Sequence, residues 1–462
     1  MLRTAVPLVF ASLVAAQGWV NATPTSPLTR PANRAFGAMT WDPVHDYALL
    51  FGGLGAGLGN QAPSTWTWDG SSWTQHATAS PTGSFFNYGN PSRAAMAFDP
   101  QLNQVVMFFC DSTYGWNGSA WASLPIANPS LTSGYCCDVA MGHDPVRNQT
   151  LLFVGNHHIW NGFASYAGET YVLNGAAWVL QSTSLQPWPA RYPSMAFDAS
   201  SGRLVMATSG DFSAGPGAFF EWTGSDWVQR LVAGGPMSPG ALVADTTHGD
   251  VVMFDGDLAT QPAHTWRYRD GVVTALGSAN APAPRFGAML AHDPTRHRTV
   301  LFGGTNYMTT SSFLPLGDTW EFELGAGPSY ATYGAGCPGS RGVPTLAARS
   351  GSSPQIGHSF ELALGNLPFT GPVFLFLGLS DTSYGPTPLP YSLGGLGAPG
   401  CSILCSGEAP YLLTNVLGSA LWSWNVPNVP GVSFYNQAFG FDPAANALGL
   451  SASNAGRGTI GF

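Results

Sequence analysis

The sequence predicts an all-β chain: a six-bladed β-propeller over residues 17–328, followed by a β-sandwich over residues 329–462. Composition is the first observation behind this. Only 9% of residues are charged against 13% aromatic, with 58 Gly and 37 Pro, which suits short strands joined by many turns. The second is internal repetition between residues 17 and 325, with a period of about 50 residues, in the range of propeller units. The third is a change of texture near Ser329. There the repeat stops, and alternating runs such as SFELAL, PVFLFLGL and YLLTNV follow one another between Gly/Pro turns, the pattern of a sandwich of short strands.

Residues 1–16 read as a signal peptide: one Arg, an apolar run, then Val14, Ala15 and Ala16 as a small-residue cleavage pattern. A membrane anchor is the rival reading, but a span needs about 20 apolar residues and this run is shorter. The expectation is a secreted or extracytoplasmic protein with no transmembrane segment after signal removal. Export suits the six cysteines, Cys110, Cys136, Cys137, Cys337, Cys401 and Cys405, which oxidise outside the cytoplasm.

Each unit opens with an apolar strand ending in Asp, at Asp42, Asp99, Asp144, Asp198, Asp245 and Asp293, spaced 57, 45, 54, 47 and 48 residues apart. Nine residues after each Asp a second strand ends, at Phe51, Phe108, Phe153, Ala207, Phe254 and Phe302. A constant offset implies a constant hairpin. The Asp sits at a strand-to-turn junction, where a carboxylate caps backbone N–H groups; this outweighs the alternative of a functional ring of acids. A third strand then reaches a Gly turn and a closing Trp three residues later, as in Gly70 and Trp73, Gly118 and Trp121, Gly175 and Trp178, and Gly224 and Trp227. Asp-Gly and Asn-Gly favour tight hairpins because those turns need positive φ. Four antiparallel strands per unit make one blade. The sixth unit, around Trp320, lacks a closing strand, whereas Trp19–Pro24 resembles the closing segment that begins at Trp73. The residues near 19–23 are therefore expected to complete the last blade and remove its exposed edge.

An apolar strand running into Gly52-Gly53 or Gly303-Gly304, followed by a spaced aromatic pair, resembles the kelch repeat of propellers such as the central domain of galactose oxidase. The fourth and fifth units depart from it, with Thr208-Ser209 and Asp255-Gly256 in place of the glycine pair. The C-terminal region resembles domains attached to various secreted bacterial proteins, on its GCPG at Cys337, its PGC at Cys401 and its FDPAANALGLSASN stretch. That resemblance implies location and modularity without an activity.

Several functions are excluded or disfavoured. All sixteen basic residues are Arg, so neither a Schiff-base lysine nor a Walker lysine exists. The net charge of −9 carries no basic cluster, which argues against a nucleic-acid partner. The resemblance to galactose oxidase would imply copper held by two tyrosines and two histidines with a Tyr-Cys cross-link, but no adjacent Tyr-His pair of that kind occurs here. No cofactor is predicted.

Alternating strand direction places the Asp turns on one end of the blades and the long, variable connections on the other: 54–64, 156–168, 210–217 and 305–317. Binding residues concentrate on such connections. His157, His158, Trp160, Tyr166, Phe212 and Tyr307 lie on them, and aromatics beside polar groups suit the C–H faces and hydroxyls of sugars. The competing role for each is packing of one loop on the next. His157-His158 also reads as half of a metal site, against a solvent-facing polar pair, and Asp255 with Asp257 as two oxygen ligands for calcium, against a turn. For disulfides, Cys110 with Cys136 or Cys137, and Cys337 with Cys401 or Cys405, leave a third thiol in each region. The functional expectation is a non-catalytic binding protein engaging glycan or extracellular protein. The alternatives are a carbohydrate-active oxidase or hydrolase and a structural envelope component.

Overall fold

The computed structural model describes residues 18–461 except 27–28, 57–62, 78–80, 82–85, 88–89, 92–93, 130–135, 161–162, 188–190, 210–217, 232–239, 256–263, 277–279, 309–312, 326, 428 and 430. Residues 1–16, read from the sequence as a signal peptide, lie outside the described residues. Among them, no helix is long and apolar enough to cross a membrane. The chain forms two compact units, Gly18–Leu324 and Gly325–Phe462.

The first unit holds six four-stranded antiparallel sheets, consistent with a β-propeller. Sheet one contains Ala38–Asp42, Tyr47–Phe51, Thr65–Trp68 and Trp73–His76, and sheets two to five repeat that order from Ala95–Asp99, Cys136–Asp144, Arg191–Asp198 and Ala241–Asp245. Sheet six takes Met289–Asp293, Arg298–Phe302 and Thr319–Glu323 from its own stretch and its fourth strand, Gly18–Asn21, from the beginning of the unit. The pairing sets Trp19 opposite Phe322 and Val20 opposite Glu321.

Why the repeated Asp is there becomes plain from its hydrogen bonds. All six are buried, and in each one Oδ1 accepts the backbone N–H two residues on: Val44, Gln101, Val146, Ser200, Thr247 and Thr295, at 2.8–3.1 Å. The carboxylate stands in for the missing ladder partner and fixes the hairpin. At the next turn, Gly70, Gly118, Gly175 and Gly224 have φ of 95°, 92°, 88° and 107°, a region costly for any residue with a Cβ.

Neighbouring sheets share cores. Leu49 and Phe51 of sheet one pack with Met107 and Phe109 of sheet two, Val106 with Leu152, Leu151 with Met206, Val205 with Met253, and Leu50 with Phe302 of sheet six. Sheets five and six meet where Trp19 packs on Phe254, so the six form a closed cycle. Five of the seams repeat one polar contact: the closing Trp of a sheet donates its indole N–H to a buried Thr on the third strand of the sheet before it. Trp121 reaches Thr65 at 3.0 Å, Trp178 reaches Thr113 at 2.9 Å and Trp227 reaches Thr170 at 2.8 Å. Trp19 reaches Thr265 at 2.7 Å and Trp73 reaches Thr319 at 2.9 Å, carrying the series across the closure. The seam between sheets four and five differs. Val273 stands in the Trp position and Phe219 in the Thr position, and Phe219 instead stacks on Tyr268 with ring centroids 5.6 Å apart. Both members of the pair are exchanged together, so the volume is kept and no hydroxyl is left without a donor.

In the second unit, a five-stranded sheet contains Ser329–Tyr333, Leu450–Thr459, Ser433–Phe441, Val373–Gly378 and Ala409–Leu413, in that order. A three-stranded sheet contains Thr345–Ala348, Ser359–Gly365 and Ala420–Asn425. Alternate residues of both, including Phe360, Leu362 and Trp422 from the smaller and Val373, Leu375 and Phe434 from the larger, form one core. Cys337 is bonded to Cys401 across a separation of 64 residues, a link that suits an oxidising compartment. Cys405 is buried and unbonded, and burial pushes its thiol up to about 12. The pairing of Cys110 with Cys136 or Cys137 involves side chains outside the described residues. Replacing Cys337 and Cys401 by serine is expected to cost the second unit about 3 kcal/mol, chiefly through loss of the constraint on its unfolded chain. Denaturant titration checks this: the transition of the second unit moves to lower denaturant and that of Gly18–Leu324 stays in place.

Candidate binding face

The end of the first unit opposite the Asp turns is built by the residues entering each first strand and by the connections between second and third strands. Two arginines enter it in matching positions, Arg34 eight residues before Asp42 and Arg285 eight residues before Asp293. Their Nε atoms donate to the carbonyls of Ala32 and Ala283, at 2.9 and 3.0 Å. Their Nη1 atoms donate to the carbonyls of Gly52 and Gly303, at 3.1 and 3.0 Å. The guanidinium thus tethers the segment before the first strand to the glycine after the second. Here the two sheets diverge. Arg285 is also held by Asp318 through both carboxylate oxygens, at 2.5 and 2.9 Å, and this holds the Asp318 carboxyl below its usual range although burial alone would raise it. Arg34 instead meets the hydroxyl of Ser64 at 2.9 Å. Burial lowers the Arg34 guanidinium to about 10.

Two residues beyond Arg34, Phe36 adopts a left-handed backbone with φ 62°; Tyr192, at the same distance before its own Asp, has φ 49°. The matching residue in sheet six is Gly287, φ 65°, the residue type that tolerates this conformation. Bulky side chains there are strained. In Tyr192 a register shift between Arg191 and Ser194 accompanies the strain, and such bulges re-aim a side chain. The result is a contact across the axis. Sheets one and four are three steps apart in the cycle, yet the rings of Phe36 and Tyr192 stack with centroids 5.6 Å apart and planes 23° from parallel. Phe286 joins Phe36 at 6.0 Å. Phe36 is buried, whereas Tyr192 and Phe286 keep part of their surface in solvent.

Of the residues expected on this face, His157, His158, Trp160 and Tyr166 fall on the strands Gln149–Trp160 and Phe163–Leu173, whose backbone register sets His157 opposite Tyr166 and Trp160 opposite Phe163. The expected connection 156–168 is thus corrected: its two sides continue the hairpin as paired strands, because the ladder of hydrogen bonds extends past the sheet. Consecutive strand positions belong to opposite faces, so positions 157 and 158 are divided between them. Tyr307 lies on the short strand Thr305–Met308. The side chains of these five, and of Asp255 at the end of Asp250–Asp255, are outside the described residues, as are Phe212 and Asp257 entirely. Among the described residues, no three His, Cys, Asp or Glu side chains are grouped so as to hold a metal ion.

No protein-family profile and no curated protein sequence matches the chain. Solved structures that it resembles include an exo-β-1,3-galactanase from Phanerochaete chrysosporium with β-1,3-galactotriose, at 11% identity and TM-score 0.37, covering 96% of this chain and 100% of that one. A second is SapL1 lectin in complex with α-methyl fucoside, at 12% identity and TM-score 0.40, covering 63% of this chain and 97% of that one. A third is a putative exo-β-1,3-galactanase from Bifidobacterium bifidum, at 10% identity and TM-score 0.35, covering 67% and 92%.

Proposed function

We propose that the protein is an exported, non-catalytic glycan-binding protein, its six sheets the blades of one kelch-type propeller and its C-terminal unit an accessory β-sandwich. The observation that carries the binding assignment is the pair Phe36 and Tyr192. Two opposite sheets hold a large aromatic residue in a backbone conformation that favours glycine, and in doing so bring rings together at the axis of the loop-bearing end. Strain of this kind gathers at ligand sites. Partly exposed Tyr192 and Phe286 offer ring faces to the C–H face of a sugar, and the Tyr hydroxyl offers a hydrogen bond to its own hydroxyls. His157, His158, Trp160, Tyr166, Phe212 and Tyr307 belong to the same reading as outer contacts.

The test is a glycan array probed with the purified protein, followed by titration of the sugars bound. Binding without turnover, weakened about tenfold or more by Tyr192→Ala in a protein that still folds, is the expected result; tenfold is about 1.4 kcal/mol. Release of a cleaved or oxidised sugar would overturn the non-catalytic assignment. The absence of any bound sugar would overturn the glycan assignment.

A further inference from the structure

The side-chain contacts of the two arginines match except at the residue before the third strand. Each guanidinium bonds the carbonyl two residues back and the carbonyl of the glycine that follows the second strand, and each faces the residue just before the third strand. That residue also accepts from the indole of the Trp two positions on, Trp66 onto Ser64 at 3.2 Å and Trp320 onto Asp318 at 2.7 Å. In sheet six it is a carboxylate and the charge of Arg285 is neutralised. In sheet one it is a hydroxyl. Arg34 is only 6% exposed, and among the described residues all its acceptors are neutral: Ala32 O, Gly52 O and Ser64 Oγ.

The surrounding sequence supplies no substitute. The connection 53–64, the connection 303–317 and the entry segment 24–33 contain no Asp or Glu. Arg34 lies at the junction of sheets one and six, its N–H donating to Leu316 O at 2.9 Å and its carbonyl accepting from Gly304 at 3.0 Å. Every acidic residue of the repeated turns is at the opposite end of these strands. A buried, permanently charged group without a counter-charge is costly, and sheet six shows how the same scaffold removes that cost with a single side chain.

We infer that Arg34 is the anion-recognition group of the binding face and takes a sugar carboxylate, that of a uronic acid residue, in the place Asp318 fills beside Arg285. The inference rests on the glycan reading above and narrows it to acidic glycans. A carboxylate that displaces the Ser64 hydroxyl from Nη1 and accepts from Nη2 would meet the planar guanidinium in two-point geometry, as Asp318 meets Arg285 within the chain. Burial lowers the affinity of Arg34 for its own proton, and a bound anion would oppose that shift.

The experiment uses the full chain and a panel of hexuronate oligosaccharides alongside the same oligosaccharides with their carboxyl groups reduced to alcohols. The variants are Ser64→Asp, which rebuilds the sheet-six arrangement in sheet one, and Arg34→Met. The expected result is binding of a uronate oligosaccharide that falls at least tenfold on carboxyl reduction, and at least tenfold in Ser64→Asp even though that variant melts at a higher temperature than the parent. Arg34→Met is expected to lose the same selectivity. Because Ser64→Asp strengthens the fold, its loss of binding is not a loss of structure. Equal binding of native and reduced sugars, or unchanged uronate binding by Ser64→Asp, overturns the role of Arg34 and leaves the glycan reading standing. A Ser64→Asp protein that gains no thermal stability overturns the premise of an uncompensated charge. Failure to bind any sugar, acidic or neutral, removes both.

Discussion

Replacement of Trp19 by alanine is expected to destabilise the first unit by about 5 kcal/mol: about 4 from emptying a buried aromatic site and about 1 from the lost hydrogen bond. Trp19 is fully enclosed, its ring packs on Phe254 and Phe322 with centroids 5.4 and 5.1 Å away, and its N–H serves Thr265. The loss also frays Gly18–Asn21 and exposes the edge of Thr319–Glu323, an invitation to pair with another chain. Chemical denaturation followed by tryptophan fluorescence checks the magnitude, and light scattering checks the edge. Stability within 1 kcal/mol of the parent would show that the first strand does not close the sheet.

Removal of Glu221 as alanine is expected to cost a similar amount, about 3–5 kcal/mol, for the opposite reason. The loss is of a charge, not of volume. The carboxylate is wholly enclosed and accepts from Arg203 at 2.9 Å, Arg230 at 2.6 Å and the Tyr268 hydroxyl at 2.6 Å. Without it, two guanidinium groups and a buried phenol face each other with no acceptor, the costly way to break a buried network. Both arginines keep a third or more of their surface in water, which holds the figure to the lower part of that range. Burial alone would raise the Glu221 carboxyl, but the bonds from Arg230, Tyr268 and Arg203 outweigh it and hold it below the ordinary 4.5. With the folded value below the unfolded one, the stabilisation is complete above the ordinary carboxylate range and is lost as pH falls through the depressed folded value. Urea titrations across that range are therefore expected to show the gap between parent and Glu221→Gln narrowing as the solution is acidified. A gap independent of pH would mean that Glu221 is not ionised in the native protein.

The repeat was legible because its determinants are local. An Asp caps a turn two residues away, a Gly serves its own hairpin, and both recur at fixed offsets in the chain. Trp19 as part of the last sheet was also readable, since a strand missing at one end of the unit had a match at the other. The axial ring contact was not. Phe36, Tyr192 and Gly287 occupy one repeat position, six residues before the Asp, but nothing in three dissimilar residues announces a shared left-handed backbone. The contrast between Ser64 and Asp318 hid for a related reason: it acquires meaning only once Arg34 and Arg285 are seen to reach past thirty residues to touch them. The connection 156–168 was read as a long, variable loop because strand ends are set by the length of the hydrogen-bonded ladder, which leaves little trace in the side-chain pattern of a hairpin arm extending beyond its sheet.

The pairing of Gly18–Asn21 with Thr319–Glu323 also sets an order of events during biogenesis. The stretch of the ring that leaves the ribosome first has no partner until the final strand has been made, some 300 residues later, and at synthesis speeds of about 5–20 residues per second that is a wait of at least 15 s. Partial chains therefore cannot close the circle, and Gly18–Asn21 stays unpaired until translation of the last sheet is finished.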